Sequence, residues 1–137
     1  MTLLNLYRHA EELGIEIDDV PMRQIESVAY PEGWIALDSQ KIETRSEEKV
    51  VLAHEIGHIV TGSFYNVYSR FDLLEQHEHR ANKRAIQMLM PIKRLQRVLR
   101  AGIRDVWELA EYFGVTEDFV EKAMDMYEDQ LIDMRYQ

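Results

Sequence analysis

The chain has 137 residues, which is the usual size of one domain. Its composition, 46% hydrophobic and 30% charged, is typical of a folded globular protein and excludes a disordered one. A formal net charge of −9 disfavours binding of the whole molecule to DNA or to anionic membranes, and the lack of cysteine excludes disulfide scaffolds, thiol nucleophiles and cysteine-ligated zinc.

The first third of the chain is predicted to form one helix and a small sheet. Apolar residues recur at helical spacing and the pattern stops at Gly14; they are Leu3, Leu4, Leu6, Tyr7, Ala10 and Leu13. Residues 15–17 then alternate as a strand does. Segments 27–30 and 34–37 flank the turn signal of residues 31–33, which predicts an antiparallel hairpin.

The remainder is predicted to be helical. Thr44 is a candidate N-cap, and Glu47 three residues later completes a capping box, so a helix is expected over 45–61 with its end near Gly62. This helix is apolar nearly all round, which places it inside the molecule. Further helices are predicted over 72–89, 92–101, 104–113 and 117–134, with Thr116 as the cap of the last one.

These elements predict a single α+β domain over residues 1–137, built from a helix, a small antiparallel sheet and a helical body. Residues 44–91 are expected to form its metal-site core and 105–137 its C-terminal helices. No apolar stretch is long enough to cross a membrane, and polar residues interrupt the N-terminal segment too early for a signal peptide. A cytoplasmic location is therefore expected.

The motif with chemical content is His54-Glu55-Ile56-Gly57-His58, which has the form HExxH. Residues four apart lie on one face of a helix, so both imidazoles can reach one metal ion. Glu55 lies about 100° round the helix, near the open coordination position, where a general base can accept a proton from an attacking water. The alternative is a chance match, or a helix whose two histidines have ordinary hydrogen-bond partners. Two unpaired histidines on a buried helix would be costly, which favours the metal.

A catalytic zinc site needs a third protein ligand, and the candidates cluster in residues 75–79. On the predicted helix 72–89, Glu78 falls within an apolar stripe, His77 lies at its edge and His79 outside it. The stripe consists of Leu74, Ala81, Ala85, Met88 and Leu89. A carboxylate in that position needs a strong partner, which a metal ion or a salt bridge to a base supplies. The position of Glu78 on the predicted helix favours a metal ion over a salt bridge as its partner.

Further residues are candidates for supporting roles. Asn82 lies one turn after Glu78 on the same side, where it either orients a ligand or is an ordinary surface amide. Tyr65, Tyr68 and Arg70 lie between the metal helix and Glu78, and any of them can supply the hydrogen-bond donor that a developing oxyanion requires. The alternative for these three is aromatic packing and a surface arginine.

Two segments together resemble the ImmA/IrrE metallopeptidases. The family pattern HExGH … ExxAN(x)FA(xx)LLMP is similar to residues 54–58, then to Glu78-x-x-Ala81-Asn82, and then to Ala85-Ile86-Gln87-Met88-Leu89-Met90-Pro91. The match is close over 44–91 and weaker upstream. Arg84 stands where the family usually has Phe, and Arg80 where an acidic residue is common; both leave the motif residues intact.

The resemblance implies a mainly helical, zincin-like α+β fold with one Zn²⁺ per chain. It implies His54, His58 and Glu78 as metal ligands and Glu55 as catalytic base. It also implies a zinc-dependent endopeptidase that cleaves a partner protein, a helix-turn-helix repressor of a prophage or conjugative element. The net charge and the lack of a membrane-length apolar stretch separately predict no direct contact with nucleic acid or membrane. The alternative function is a metal-stabilised regulator that binds a repressor without cleaving it, for which Glu55 has no purpose.

Overall fold

The computed structural model describes residues 1–64 and 71–133. The elements in chain order are α1 Leu3–Glu12, β1 Glu16–Asp19, β2 Ser27–Tyr30, β3 Trp34–Leu37, a 3-10 turn Ser39–Lys41, α2 Arg45–Thr61, α3 Phe71–Leu89, α4 Ile92–Arg100, α5 Val106–Phe113, α6 Glu117–Met126 and α7 Glu128–Asp133. The predicted mainly helical α+β class is confirmed. None of the described helices is both long and apolar enough to cross a membrane.

The sheet has the order β1-β3-β2 and is mixed. The predicted hairpin is confirmed, because β2 pairs antiparallel with β3, from Ser27 opposite Leu37 to Tyr30 opposite Trp34. The prediction of a wholly antiparallel sheet is wrong, because β1 pairs parallel with β3. The loop over 20–26 carries the chain past β3 before β2 begins, so β1 and β3 run in the same direction. The alternation of residues 15–17 carries no information on strand direction.

Helix α2 lies at the centre of the molecule, where it packs against α1, α3 and the sheet. Its bounds follow the predicted signals. The Thr44 hydroxyl accepts a hydrogen bond from the Glu47 N–H, and Gly62 ends the helix in the left-handed conformation with φ 66°. Its Leu52, Ala53 and Ile56 are fully buried. The helix therefore holds its functional residues on a rigid, well-packed support.

The predicted helix over 117–134 is instead two helices, α6 and α7, separated at Tyr127. The backbone of Tyr127 leaves the helical region, with φ −93° and ψ 6°. Its side chain is buried there, with its ring among the core residues. No glycine or proline marks the break, so apolar spacing alone predicts one continuous helix. The other predicted helices begin and end within two residues of the described ones.

Candidate metal centre

Three side chains from two helices converge at one point. His54 and His58 lie one turn apart on α2, and Glu78 reaches them from α3. The Nε2 atoms of the two histidines are 3.1 Å apart. One carboxylate oxygen of Glu78 lies 2.9 Å from His54 Nε2, and the other lies 3.1 Å from His58 Nε2. Two imidazoles and one carboxylate thus face a common centre.

This arrangement fits a metal ion. The ligand atoms of the three residues lie within 4.8 Å of one another. Bonds of about 2.0–2.1 Å in a tetrahedral site place two ligand atoms roughly 3.3 Å apart, close to the observed distances. Two histidines and one glutamate are a known donor set for catalytic zinc, and they leave one coordination position open. The three residues can therefore hold a divalent cation.

The other ring nitrogen of each histidine is hydrogen bonded, which fixes the imidazoles for metal binding. His54 Nδ1 lies 2.8 Å from Asn82 Oδ1, and His58 Nδ1 lies 2.5 Å from the Ser63 carbonyl oxygen. Because both partners are acceptors, each Nδ1 carries the hydrogen and each Nε2 keeps its lone pair for a metal. Asn82 lies where the sequence placed a ligand-orienting residue, and its contact is to His54.

The site favours positive charge. Burial disfavours the charged imidazole of His58. Its hydrogen bonds to Glu78 and to the Ser63 carbonyl, together with the negative charges of Glu78 and Glu55, nevertheless raise its pKa. The same groups that favour a proton on this imidazole favour a bound cation.

Ser63 contacts a candidate ligand, although the sequence does not predict this role. Its backbone turns back beneath the end of α2, where its N–H donates to the His58 carbonyl and its own carbonyl accepts from His58 Nδ1. The Ser63 hydroxyl is 2.6 Å from the Thr61 hydroxyl, and the residue is fully buried. Gly62 signals that the helix ends here, but no local pattern indicates that the next carbonyl orients a histidine.

Glu55 is buried beside the triad, with 5% of its surface exposed. Burial raises the pKa of its carboxyl, while His54, His58 and a hydrogen bond with the Ser27 side chain oppose the rise and Glu78 adds to it. A carboxylate whose pKa is raised towards the working pH is better suited to proton transfer. Ser27 lies at the start of β2, and the sequence gives no sign that it affects the pKa of Glu55.

The helical phase predicted for α3 is correct, with one difference in burial. Ala81, Ala85 and Leu89 are buried and His79 is exposed. The Glu78 side chain is 39% exposed rather than enclosed in the apolar stripe. It lies at the boundary between the packed face of α3 and an open cleft. Tyr65, Tyr68 and Arg70, the candidate oxyanion donors, lie outside the described residues.

The glycine of the motif has a packing role. A Cβ atom built on Gly57 would lie 2.5 Å from the Ala81 carbonyl oxygen, so α2 and α3 approach backbone to backbone at this point. A side chain at Gly57 cannot be accommodated by rotating a neighbouring side chain, because the obstacle is backbone. The close approach lies between the histidines of α2 and the Glu78 segment of α3, and it sets the distance across which the ligands meet.

Gly57→Ala is expected to push α3 away from α2, lowering the free energy of unfolding by about 1–3 kcal/mol, as overpacking does, and weakening metal retention. Thermal unfolding and metal content of the purified variant measure both effects. Gly102→Ala is the control, because Gly102 has φ 99°, no atom of the described residues beyond its chain neighbours lies within 4 Å of a Cβ built on it, and it belongs neither to the triad nor to the lining of the cleft. It is expected to lose stability through strain alone and to keep its metal. Equal metal retention in the two variants would contradict the packing role.

Two members of the triad, His54 and Glu78, line a cleft of about 680 Å³. Its walls come from the start of β2, the exposed side of α2, α3 and the first turn of α6. Its lining residues are Glu26, Ser27, Glu47, Val50, Val51, His54, Glu78, Asn82, Thr116, Glu117, Asp118, Phe119 and Lys122. A cleft of this size can accept several residues of an extended peptide, with His54 and Glu78 at its wall.

A helix that carries HExxH, a facing helix that carries a glutamate and a small sheet beside them define a metallopeptidase-like α+β domain. A family model described as the IrrE N-terminal-like domain, Peptidase_M78, matches residues 10–125. The chain therefore belongs to this metallopeptidase family, which confirms the resemblance found in its motifs. A search of curated proteins found no significant match to the chain.

Proposed function

We propose that this chain is a zinc-dependent endopeptidase that cleaves a partner protein, a helix-turn-helix repressor of a prophage or conjugative element. In this proposal His54, His58 and Glu78 hold the zinc and Glu55 is the catalytic base. The observation that carries it is the convergence of two oriented imidazoles and a carboxylate beside a second, buried carboxylate. A purely structural metal site has no need of the second carboxylate, and it leaves no coordination position open.

Each residue has a distinct task. When bound, zinc supplies Lewis-acid chemistry, which polarises a peptide carbonyl and lowers the pKa of water. Glu55 accepts the proton of the attacking water and donates it to the leaving amine. Asn82 and the Ser63 carbonyl hold the two imidazoles in orientation through their Nδ1 hydrogens. Ser27 opposes the rise in the pKa of the Glu55 carboxyl and so helps to keep it able to accept a proton.

The charge of the cleft supports a basic protein segment as substrate. Four carboxylates besides Glu78 line it; they are Glu26, Glu47, Glu117 and Asp118. Among the described residues none of the four forms an ion pair with lysine or arginine, and Lys122 is the one such base in the lining. Opposite charge raises the rate of encounter and sets orientation. DNA-binding repressors carry basic surfaces, so they complement the negative charge of this cleft. We propose the cytoplasm as the compartment of both proteins.

The test is to incubate the zinc-loaded chain with a helix-turn-helix protein encoded beside it. We expect discrete fragments. The double variant Glu117→Gln/Asp118→Asn is expected to lower kcat/KM by about tenfold at low ionic strength, with less effect at high salt, because it removes charge from the cleft. Tight binding without fragments would support the non-catalytic regulator instead.

Glu121→Gln/Asp125→Asn is the matched control. It removes the same number of charges from the same helix at exposed positions outside the cleft. It is expected to cleave as the wild type does, and metal content is expected to stay unchanged in both double variants. Equal losses in the two would show that overall charge, rather than the cleft, governs the encounter.

A further inference from the structure

A second cavity, of about 710 Å³, lies on another face of α2. It is formed by the first turns of α1 and α2, by Arg94 of α4 and by the end of α5. Among the described residues it shares no lining residue with the acidic cleft, which is the cleft beside the metal centre that Glu26, Glu47, Glu117 and Asp118 line. In a chain of net charge −9, the described lining of this cavity carries the side-chain cations Arg45, Lys49 and Arg94 and one carboxylate, Glu111. Its charge is thus opposite to that of the whole molecule.

Lys49 is the central feature of this cavity. Its side chain lines the space although the residue is only 6% exposed. Its ammonium donates to the carbonyl oxygen of Phe113, the last residue of α5, at 2.5 Å. Within residues 1–64 and 71–133 it has no other hydrogen bond and no carboxylate partner. An ammonium has three donors, and burying its charge against a single carbonyl is costly.

Arg94 adds a second cation without a carboxylate partner in the described part of the chain. Its guanidinium lies over the Tyr112 ring at 5.4 Å and near the Phe113 ring at 5.7 Å. Burial and the charge of Arg94 both lower the pKa of Lys49, so the two cations repel each other across the cavity. An anion between them relieves both the burial cost and the repulsion.

The backbone of the cavity also favours an anion. Thr2, Leu3 and Leu4 line it, and they belong to the cap and first turn of α1, which contains no acidic residue. The N–H groups of a first helical turn have no partner within the helix and carry partial positive charge. The apolar walls from Leu3, Leu4 and the Tyr7 ring extend well beyond the volume that one phosphate needs.

We propose that this cavity binds a small organic phosphate, with the phosphate between Lys49 and Arg94 and the organic part against α1. Lys49 and Arg94 supply charge-assisted hydrogen bonds, and the first turn of α1 supplies backbone donors. This site is independent of the peptidase proposal, because it lies outside the cleft and uses none of the candidate metal or catalytic residues.

The test is a titration of the zinc-loaded chain with phenyl phosphate and with inorganic phosphate, followed by amide chemical shifts in NMR. We expect saturable shifts at Leu3, Leu4, Ser46 and Gly114, and tighter binding of phenyl phosphate. Arg94→Gln is expected to weaken binding at least about tenfold, as for loss of one charge-assisted hydrogen bond. Lys49→Met is expected to do the same, while Arg97→Gln, an exposed arginine of the same helix outside this cavity, keeps wild-type affinity.

Three results would overturn the proposal. The absence of saturable shifts, or shifts confined to the acidic cleft, would exclude this cavity as the site. Unchanged affinity in Arg94→Gln would exclude the assigned phosphate position, and this variant decides the matter even where Lys49→Met fails to fold. Phenyl phosphate binding no more tightly than inorganic phosphate would exclude the organic part of the ligand.

Discussion

Glu55→Gln is expected to lower cleavage of the partner by at least about 100-fold, since general acid–base catalysis typically supplies 10²–10⁴-fold. Glutamine has the size and shape of glutamate but cannot accept a proton at neutral pH. The proposed ligands are His54, His58 and Glu78, so zinc content and fold are expected to survive. The measurement is the rate of repressor cleavage by wild type and variant at matched zinc content.

Glu48→Gln is the control for this comparison. Glu48 lies on the same helix, accepts a hydrogen bond from the Tyr7 hydroxyl at 2.9 Å and lies outside the cleft. Glutamine keeps an acceptor there, so cleavage is expected to be unchanged. Binding of the partner is expected to persist in Glu55→Gln, and an uncleaved complex becomes easier to isolate. Equal cleavage by wild type and Glu55→Gln would assign the proton transfer to another group.

The sequence predicted features that depend on residues close together in the chain. The cap at Thr44, the left-handed residue at Gly62 and the spacing of His54 and His58 are local, and α2 has the predicted bounds. The phase of α3 also follows from local periodicity, which predicts Glu78 on the side that faces α2. The exposure of the Glu78 side chain does not follow from local periodicity, because the cleft beside it is formed by elements distant in sequence.

Features that depend on contacts between distant segments were not predictable. The parallel pairing of β1 with β3 follows from the path of the chain over residues 20–26, which strand alternation does not encode. The effect of Ser27 on the pKa of Glu55 joins β2 to α2. Gly57 was visible as part of the motif, but the reason for a glycine is a backbone carbonyl of α3. Each of these requires knowing which elements are neighbours.

Loss of metal is the second large effect that we expect. The wild type should bind about one zinc per chain, the number that one three-ligand site holds. His54→Ala or His58→Ala should abolish tight binding, because a catalytic zinc site needs three protein ligands and each variant leaves two. Glu78→Gln should weaken retention strongly, since an amide oxygen carries no charge to offset that of the cation. Metal analysis after dialysis against a weak chelator measures these losses.

The pattern across neighbouring residues decides whether this particular triad is the site. His79→Ala and Glu75→Gln change exposed side chains of α3 that lie outside the triad, so both should retain zinc as the wild type does. Asn82→Ala removes the acceptor that holds the His54 ring, and a change of this kind typically costs about 10–100-fold in affinity. It should therefore fall between the controls and the ligand variants. Zinc lost in His79→Ala but kept in Glu78→Gln would mean that α3 presents a different face to α2, and the ligand set would have to be assigned again from that phase.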